Sequence, residues 1–331
     1  MIRVFLTIAM IISFPAAAGI SGEAQAVEPT QRVLHIGFVG PESPSTTVRG
    51  VDAFWHRLRE LGWVEGQNIA IEARWTEGRP ERLPVVIAEV IDRKVDVLVT
   101  YSTPAAAAAS KATKTVPIVV AGMADPVGSG LADSLARPGG NLTGLSLGYG
   151  EGFSGKWLEM LREIVPELST VAVIWNPNNP ANRELRRKIE FVAPTSRVRL
   201  RFIDLHKPDA LDAAFQQARQ AAQAVLVLPD PFTVNNRHRV VTLAALHRLP
   251  AMYVFRDFVD VGGLMSYGID QAVLFRRAAE YVDKILKGAK PGDLPIEQPT
   301  RLELVVNLTS AKSLGIRIPE SIILRADEII K

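Results

Sequence analysis

The sequence predicts an α/β protein built from two doubly wound parallel-sheet lobes that are joined by hinge segments. Short apolar runs rich in β-branched residues alternate with amphipathic segments of helical periodicity along the 331-residue chain. The alternation stops at a glycine-rich stretch, residues 148–155, and then begins again. The length also exceeds the roughly 250–300 residues at which one hydrophobic core usually divides into two. Strands this uniformly apolar are typical of a parallel sheet that is covered by helices on both faces.

The first set of elements predicts a lobe that extends over residues 27–147. Its apolar runs predict strands at 33–39, 69–75, 95–100, 117–121 and 142–147. Helical periodicity predicts helices between these strands, at 48–61, 82–92, 104–112 and 128–135. Because strands and helices alternate, we expect right-handed βαβ connections throughout this lobe.

The second set predicts a lobe over residues 148–263. Four glycines in residues 148–155 disfavour a stable element, so we expect a hinge or connector there. Beyond it, helical patterns predict helices at 157–164, 181–192, 211–222 and 235–249. Apolar runs predict strands at 171–175, 199–205, 224–228 and 251–255.

Two further breakers predict that the chain crosses between the lobes again. A break at 261–263 precedes a segment at 264–290, which we expect to return to the first lobe. A second break at 290–295 precedes a C-terminal segment at 291–331, which we expect to cross back toward the second lobe. These segments contain predicted strands at 264–267 and 302–306 and predicted helices at 272–286 and 308–314.

The N-terminal residues 1–26 are predicted to be a secretory signal peptide. Arg3 gives a positive start, residues 4–14 form an almost wholly apolar run, and residues 24–26 read Ala-Gln-Ala. These are the three parts of a signal peptide, with cleavage expected after Ala26. A membrane anchor is the alternative, but the apolar run is shorter than the roughly 20 residues that span a bilayer. We therefore expect an exported protein.

Composition excludes several kinds of site and partner. The chain has no cysteine, so it cannot form a disulfide, a zinc–thiolate centre, an iron–sulfur cluster or a lipid-modified N-terminal cysteine. Its five histidines lack the spacing of metal ligands, and there is neither a Walker A motif nor a dinucleotide-binding fingerprint, so we expect no cofactor and no metal. With 38 Lys and Arg against 35 Asp and Glu and no concentrated basic arm, we expect no nucleic-acid partner.

Four predicted strands end in the same local pattern, in which a Ser, Thr, Asp or Asn precedes a proline. The four are Ser102-Thr103-Pro104, Ala124-Asp125-Pro126, Asn178-Asn179-Pro180 and Pro229-Asp230-Pro231. A capping side chain followed by proline is a favourable helix start, and one such pattern alone indicates no more than that. Together, however, they lie at the carboxyl ends of parallel strands, where open α/β sheets bind ligands. Free N–H groups at these helix N-termini are expected to suit a carboxylate.

These strand ends predict a pocket for a small polar or zwitterionic ligand. Asp125 and Asp230, on opposite lobes, suit an ammonium group or hydroxyls. The polar candidates are Ser45, Thr46, Ser102, Thr103, Asp125 and Asp230. Aromatic side chains near the predicted crevice are candidates to stack on a ring, namely Tyr101, Trp175, Phe232, Tyr253 and Tyr267. Of these, Trp175 lies inside an apolar strand, which favours a place in the core.

One enzyme motif offers an alternative. Gly144, Ser146 and Gly148 match the G-x-S-x-G pattern of hydrolases, and Asp230 and His247 follow in the hydrolase chain order. That motif requires a strand that turns at once into a helix, whereas this strand runs into the glycine-rich stretch. We expect no enzyme activity and keep a hydrolase that uses Ser146 only as an alternative.

Several segments resemble a known family, the ABC-transporter substrate-binding proteins related to the tryptophan/tyrosine-binding lipoproteins. The segments that carry the resemblance are Tyr101–Ala105, Ala124–Gly130, Ala136–Gly144 and Arg325–Ile330. The resemblance covers essentially the whole chain after residue 26. It implies a type I periplasmic-binding-protein fold, in which two lobes and three hinge strands enclose one small ligand. Ligand contacts are implied at Ser102, Thr103 and Asp125, in the loop from Asn176 to Asn179, which includes Asn178, and at Asp230, Ser266 and Tyr267.

The resemblance also implies partners and a location. Related members bind aromatic amino acids and deliver them to an ABC permease and its ATPase subunits in the inner membrane. Many members are lipoproteins, whereas this chain has no cysteine to lipidate, so we expect a freely diffusing periplasmic monomer. A periplasmic sensor that presents its ligand to a membrane receptor remains the alternative, and the sequence does not name the ligand.

Overall fold

The computed structural model describes residues 32–45, 49–149, 151–298 and 301–331. The predicted signal peptide at 1–26 and the candidate Thr46 lie outside the described residues. Contacts group Val33–Lys331 into one unit, which contains every element described below. In the described part of the chain, no helix is both long enough and apolar enough to span a membrane.

The first lobe is a parallel sheet. Its strands are β1 (Leu34–Gly40), β2 (Ile69–Trp75), β3 (Val97–Thr100), β4 (Ile118–Met123) and β5 (Leu142–Ser146). They are ordered β2-β1-β3-β4-β5. Three α-helices and one 3-10 helix lie between them, α1 (Arg49–Glu60), α2 (Leu83–Asp92), α3 (Thr103–Ala112) and Pro80–Arg82.

The second lobe contains a seven-stranded sheet. Its strands are β6 (Thr170–Trp175), β7 (Arg199–Asp204), β8 (Ala224–Val227), β9 (Ala251–Tyr253), β10 (Met265–Gly268), β11 (Glu303–Asn307) and β12 (Glu328–Ile330). Their order is β12-β11-β10-β9-β8-β6-β7, and all neighbours are parallel except the antiparallel pair β10 and β11.

Further helices follow the first sheet in sequence. The α-helices are α4 (Glu151–Ile164), α5 (Pro180–Val192), α6 (Leu211–Ala221), α7 (Pro231–Asn235), α8 (Arg237–Leu246), α9 (Asp257–Asp260), α10 (Gln271–Leu286), α11 (Leu308–Leu314) and α12 (Glu320–Ile323). Two short 3-10 helices lie at Pro208–Ala210 and Pro291–Asp293.

Burial explains why these residues form layered sheets. Every residue of β4 and β6 is buried, as expected for strands with helices on both faces. In the first lobe, α2 and α3 bury Ile87 and Ala106 on one face of the sheet, while α1 buries Phe54 on the other. The predicted fold class, two doubly wound α/β lobes, is confirmed.

The segment between the two parts of the second sheet lies in the first lobe. Strand β10 pairs with β9, so the return to the first lobe begins after Gly268 and not at residue 264. Helix α10 then packs against α1, and Ile296 is part of the first-lobe core. Ser146 N–H donates to Glu297 O (2.8 Å), so the chain crosses back after residue 298 and not at 291.

Two local predictions are wrong. Residues 128–135 do not form a helix, because Asp125 has φ +37° and its Oδ1 accepts from Gly128 N–H (2.9 Å), which closes a turn instead. Within the glycine-rich stretch, α4 begins at Glu151. Trp157 and Leu161, each fully buried, anchor one face of this helix, and their burial outweighs the helix-weakening effect of the glycines.

Candidate binding cleft

The carboxyl ends of both sheets face one cleft between the lobes. The last part of β4 and the loops after β1, β3 and β5 line it from the first lobe, and the loops after β6, β8 and β9 line it from the second. The space in the cleft that protein atoms do not fill, its opening to solvent included, is ≈ 580 Å³. Its position agrees with the rule that open α/β sheets bind ligands at strand carboxyl ends.

The two lobes touch each other at the rim of this cleft. Ser43 N–H, after β1, donates to Asn235 Oδ1 of α7 (3.2 Å). Arg49 N–H, at the start of α1, donates to Asp257 Oδ1 of α9 (3.3 Å). These two bonds connect the first lobe directly to the second at the rim of the cleft.

Glu42 supplies a buried carboxyl from the first lobe. It lies two residues beyond β1, lines the cleft and is 2% exposed. The Tyr101 hydroxyl donates a short hydrogen bond to its Oε2. Burial raises the pKa of Glu42 to about 8, because the charged form is poorly solvated, while the Tyr101 bond acts in the opposite direction. The charge of Asp257 raises this pKa further and the positive charge of Arg237 lowers it, so Glu42 holds its proton more tightly than an ordinary carboxyl.

Asp230 supplies the second buried carboxyl, from the second lobe. It caps α7, and its Oδ1 accepts from Phe232 N–H (3.1 Å). Its Oδ2 accepts from Asn176 Nδ2 (3.0 Å) and Asn179 Nδ2 (2.9 Å). Burial raises the pKa of Asp230, and the hydrogen bonds from Asn179, Phe232 and Asn176 lower it. Three protein donors therefore hold this carboxyl in a fixed place.

The expectation of free helix N–H groups at the strand ends needs correction. In α5, Ala181 N–H donates to Asn179 Oδ1 (3.0 Å), and the next two amides donate to Asn179 O. In α7, the Phe232 and Val234 amides are bonded to Asp230 in the same way. The capping side chains that make these segments good helix starts also occupy the amides that a ligand would use.

The rest of the cleft wall is mainly apolar and aromatic. Phe255 and Phe275 face it from opposite lobes, with Tyr149, Leu147 and Leu274 beside them. Among the described residues that line the cleft there is no Lys, Arg or His. An apolar wall with a few polar groups is typical of ligand pockets, and here the titratable polar groups are carboxyls.

Four residues that the sequence proposed for the site line this cleft, namely Tyr101, Ser102, Thr103 and Asp230. Ser102 caps α3 with φ +75°, a strained left-handed conformation at the start of the helix. Thr103 Oγ1 accepts from Ala124 N–H (2.9 Å), which ties α3 to the loop after β4. Asn176 does not line the cleft, but its side-chain amide donates a hydrogen bond to Asp230, which does.

The other described candidates lie elsewhere. Asp125, Asn178 and Ser45 are exposed outside the cleft wall. Tyr253 and Ser266 are buried in the second sheet, the Tyr253 ring stacked on Phe258. Tyr267 is half-buried, and its ring stacks on Phe153 at 5.6 Å. None of these six side chains lines the cleft beside Asp230.

The structure adds lining residues that the sequence did not indicate. These include Glu42, Tyr149, Phe255, Gln271 and Phe275. The strand-end rule could have found Glu42 and Phe255, since each lies two residues beyond a strand. Gln271 and Phe275 belong to α10, and no local pattern marks a helix that returns from the second sheet to cover the cleft.

Neither hydrolytic nor metal chemistry finds support in the described residues. Ser146 is 1% exposed, and its Oγ accepts from Gly148 N–H (3.2 Å) in the segment after β5. Asp230, the acid of the hydrolase alternative, is held by Asn176 and Asn179. In the part of the chain that the structure describes, no group of three or more Asp, Glu or His side chains is placed to hold a metal ion.

Comparison with known proteins identifies the family. A family model described as ABC transporter substrate binding protein matches residues 36–330. The chain belongs to this family. The family resemblance noted from the sequence is thereby confirmed, and family members are named as substrate-binding proteins rather than enzymes.

Individual relatives of this substrate-binding protein agree with the assignment. A tyrosine-binding protein of Clostridioides difficile is 25% identical over 265 residues, which are 80% of this chain and 76% of that protein. A Streptococcus pneumoniae ABC domain solved in complex with L-Trp has a TM-score of 0.83 and 25% identity, covering 90% of this chain and 99% of its own. A conserved domain protein of Vibrio cholerae has a TM-score of 0.83 and 27% identity, covering 90% and 100%.

Proposed function

We propose that this protein is the extracytoplasmic solute-binding protein of an ABC importer and captures an amino-acid-like, aromatic ligand between its lobes. The observation that carries the proposal is the interlobe cleft, in which two buried carboxyls from opposite lobes accompany aromatic walls. A relative named for tyrosine binding and a similar structure in complex with L-Trp support the ligand class.

The charges of the cleft favour a ligand with a protonated amine. Glu42 and Asp230 line the cleft, and no cationic side chain does so among the described lining residues. A purely anionic ligand would meet two carboxyls in a poorly solvated place, which is unfavourable. An ammonium group beside Glu42 would instead stabilise the ionised carboxylate and regain the interaction that both groups lose on leaving water.

The aromatic wall suits the side chain of such a ligand. Phe255 and Phe275 lie on opposite sides of the cleft, so a ring between them would contact both lobes at once. Ser102 is proposed to contribute a hydroxyl at the start of α3. A ligand that contacts both lobes stabilises the closed arrangement, because only that arrangement offers both sets of contacts.

Delivery and location complete the proposal. The closed form would dock on a membrane permease, whose ATPase subunits then drive uptake of the ligand. The signal peptide predicted at 1–26 supports export, and the absence of cysteine supports a periplasmic protein without a lipid anchor. We propose that the protein acts as a monomer, with one ligand in each chain.

Calorimetric titration of the purified protein with amino acids, sugars and nucleosides tests this function. We expect one site per chain for an aromatic amino acid such as L-tyrosine, L-tryptophan or L-phenylalanine. A ligand at a hundredfold excess over its Kd should also raise the free energy of unfolding by about 2.7 kcal/mol. Binding of sugars or nucleosides alone, or of none of the panel, would contradict the proposal.

A further inference from the structure

Two tyrosine hydroxyls, those of Tyr149 and Tyr253, are buried and have no hydrogen-bond partner among the residues that the structure describes. A buried hydroxyl without a partner loses its bonds to water and gains nothing in return. Such groups are uncommon in native proteins, so each one needs a physical explanation. The two hydroxyls have the same chemistry and lie in different surroundings.

Packing of the Tyr253 ring in the second lobe explains why this side chain is buried, and no ligand is needed to explain it. Its side chain is 0% exposed in β9 and does not line the cleft. The ring lies parallel to that of Phe258, with 4.7 Å between centroids and 4° between planes. The ring also lies close to Gly263, since a Cβ added at that glycine would be 2.8 Å from Tyr253 Cε2. Ring packing therefore accounts for Tyr253, whose hydroxyl is enclosed in the second lobe.

Tyr149 lies at the cleft itself. It is 5% exposed and lines the cleft together with Ala181, in the first turn of α5. Its ring packs against Phe153 (5.3 Å between centroids) and Trp157 (6.4 Å). Lys188 Nζ donates to its main-chain oxygen (2.7 Å). Contacts with α4 and α5 thus hold the residue in place, while its hydroxyl is left without a protein partner.

A ligand carboxylate would need neutral donors in this cleft. The described lining residues include no Lys, Arg or His, and Asn179 and Asp230 already occupy the amides that begin α5 and α7. Burial raises the pKa of Tyr149 far above its ordinary value, so its hydroxyl keeps its proton and can donate it in a hydrogen bond. An unpaired, protonated hydroxyl at the cleft wall is a suitable donor to a carboxylate.

We propose that the Tyr149 hydroxyl donates a hydrogen bond to the carboxylate of the bound ligand and so selects ligands that carry one. The inference rests on the proposed function, since it requires an amino-acid-like ligand. It makes Tyr149 a specificity-determining residue that distinguishes an amino acid from the corresponding amine.

Calorimetric titration of wild type, Tyr149→Phe and Tyr253→Phe with L-tryptophan, L-tyrosine and tryptamine tests the proposal. We expect Tyr149→Phe to weaken binding of both amino acids at least tenfold and to leave tryptamine within twofold. Tyr253→Phe, the matched control, removes the same unpaired hydroxyl away from the cleft and should change nothing beyond twofold. Thermal unfolding without ligand should show neither variant below wild type in Tm, because each loses a buried hydroxyl without a partner.

The outcomes separate this proposal from the proposed function. A wild type that binds neither amino acid contradicts both. A wild type that binds them while Tyr149→Phe binds equally well contradicts only the role of Tyr149, as does a loss confined to L-tyrosine, which would assign the hydroxyl to the ligand phenol. Wild-type affinities for L-tryptophan and tryptamine within twofold of each other would also overturn it, whatever the variants do.

Discussion

The two walls of the cleft each contain one buried acid, and the two acids are held in different ways. Asp230 accepts three hydrogen bonds, from Asn176, Asn179 and the Phe232 amide, and it also caps α7. Glu42 accepts hydrogen bonds from the Tyr101 hydroxyl and from its own backbone amide. Burial raises the pKa of both. The second-lobe acid is thus part of the structure of its wall, whereas the first-lobe acid keeps acceptor capacity for a ligand.

Replacement of Asp230 by alanine should have the largest effect, and on stability. It leaves the amides of Asn176 and Asn179 without their acceptor and removes the cap of α7. We expect the free energy of unfolding to fall by about 3 kcal/mol, from unpaired buried donors and a lost cap. Urea denaturation of wild type and variant measures this change in the free energy of unfolding. Asp230→Asn retains a capping oxygen, so its free energy of unfolding should fall less. A fall below about 1 kcal/mol for Asp230→Ala would show that Asp230 is no more important to the structure of its wall than Glu42 is.

Replacement of Glu42 by glutamine should affect ligand binding and not stability. Glutamine matches the protonated form that burial favours, so unfolding in urea should be nearly unchanged. It cannot ionise beside an ammonium group, so affinity for an amino acid should fall roughly 10- to 100-fold, or about 1.4–2.8 kcal/mol. Calorimetry of both proteins at pH 7 is the check. Equal affinities would place the ammonium group elsewhere.

The raised pKa of Glu42 predicts that the stability of the protein depends on pH. In the unfolded chain this carboxyl ionises near its ordinary pKa of 4.5, whereas in the folded protein it ionises near about 8. Between these values the folded state binds the extra proton, so stability should fall as pH rises, by at most about 1.4 kcal/mol per pH unit for one proton.

Urea denaturation of wild type and Glu42→Gln from pH 5 to pH 8 isolates this contribution. The wild-type decline should be steeper than that of the variant. Asp230, whose pKa is also raised, contributes in the same direction in both proteins and so cancels in the difference, whereas the charges of Asp257 and Glu42 interact, so the coupling with Asp257 is part of the measured difference. Parallel curves would show that Glu42 is already ionised in the folded state.

The smallest effect is expected at Asp125, an acid outside both walls. It is exposed, and its Oδ1 accepts from Gly128 N–H in a surface turn. Asp125→Ala should leave ligand affinity within twofold of wild type in the same titration, even though the strand-end pattern had placed it beside Asp230. A tenfold loss would mean that the ligand reaches beyond the cleft.

The sequence predicted the fold well because alternation of strands and helices is a local, repeated signal. The wrong elements are those in which glycines had to be interpreted, at 128–135 and at the start of α4. In the first case a side-chain turn at Asp125 replaced the expected helix. In the second, burial of Trp157 overrode the local preference. Both differences arise from contacts made in the folded protein, which the local helix propensity of the sequence does not reflect.

The site was predicted less completely, and the errors have a common cause. The strand predicted at 251–255 ends at Tyr253, so that residue stays in the sheet while Phe255, two positions later, faces the cleft. Likewise Glu42 is closer to the end of β1 than Ser45 and Thr46, the two hydroxyl candidates that the sequence predicts there. A shift of two or three residues at a strand end decides which side chain reaches a ligand, and sequence patterns locate strand ends less sharply than that.

A crystal structure of the protein with L-tryptophan or L-tyrosine tests the central claim most directly. The account predicts the ligand ring between Phe255 and Phe275, with the ammonium group within hydrogen-bond distance of Glu42. A ligand bound outside the interlobe cleft, or one whose ammonium group contacts neither Glu42 nor Asp230, would contradict it.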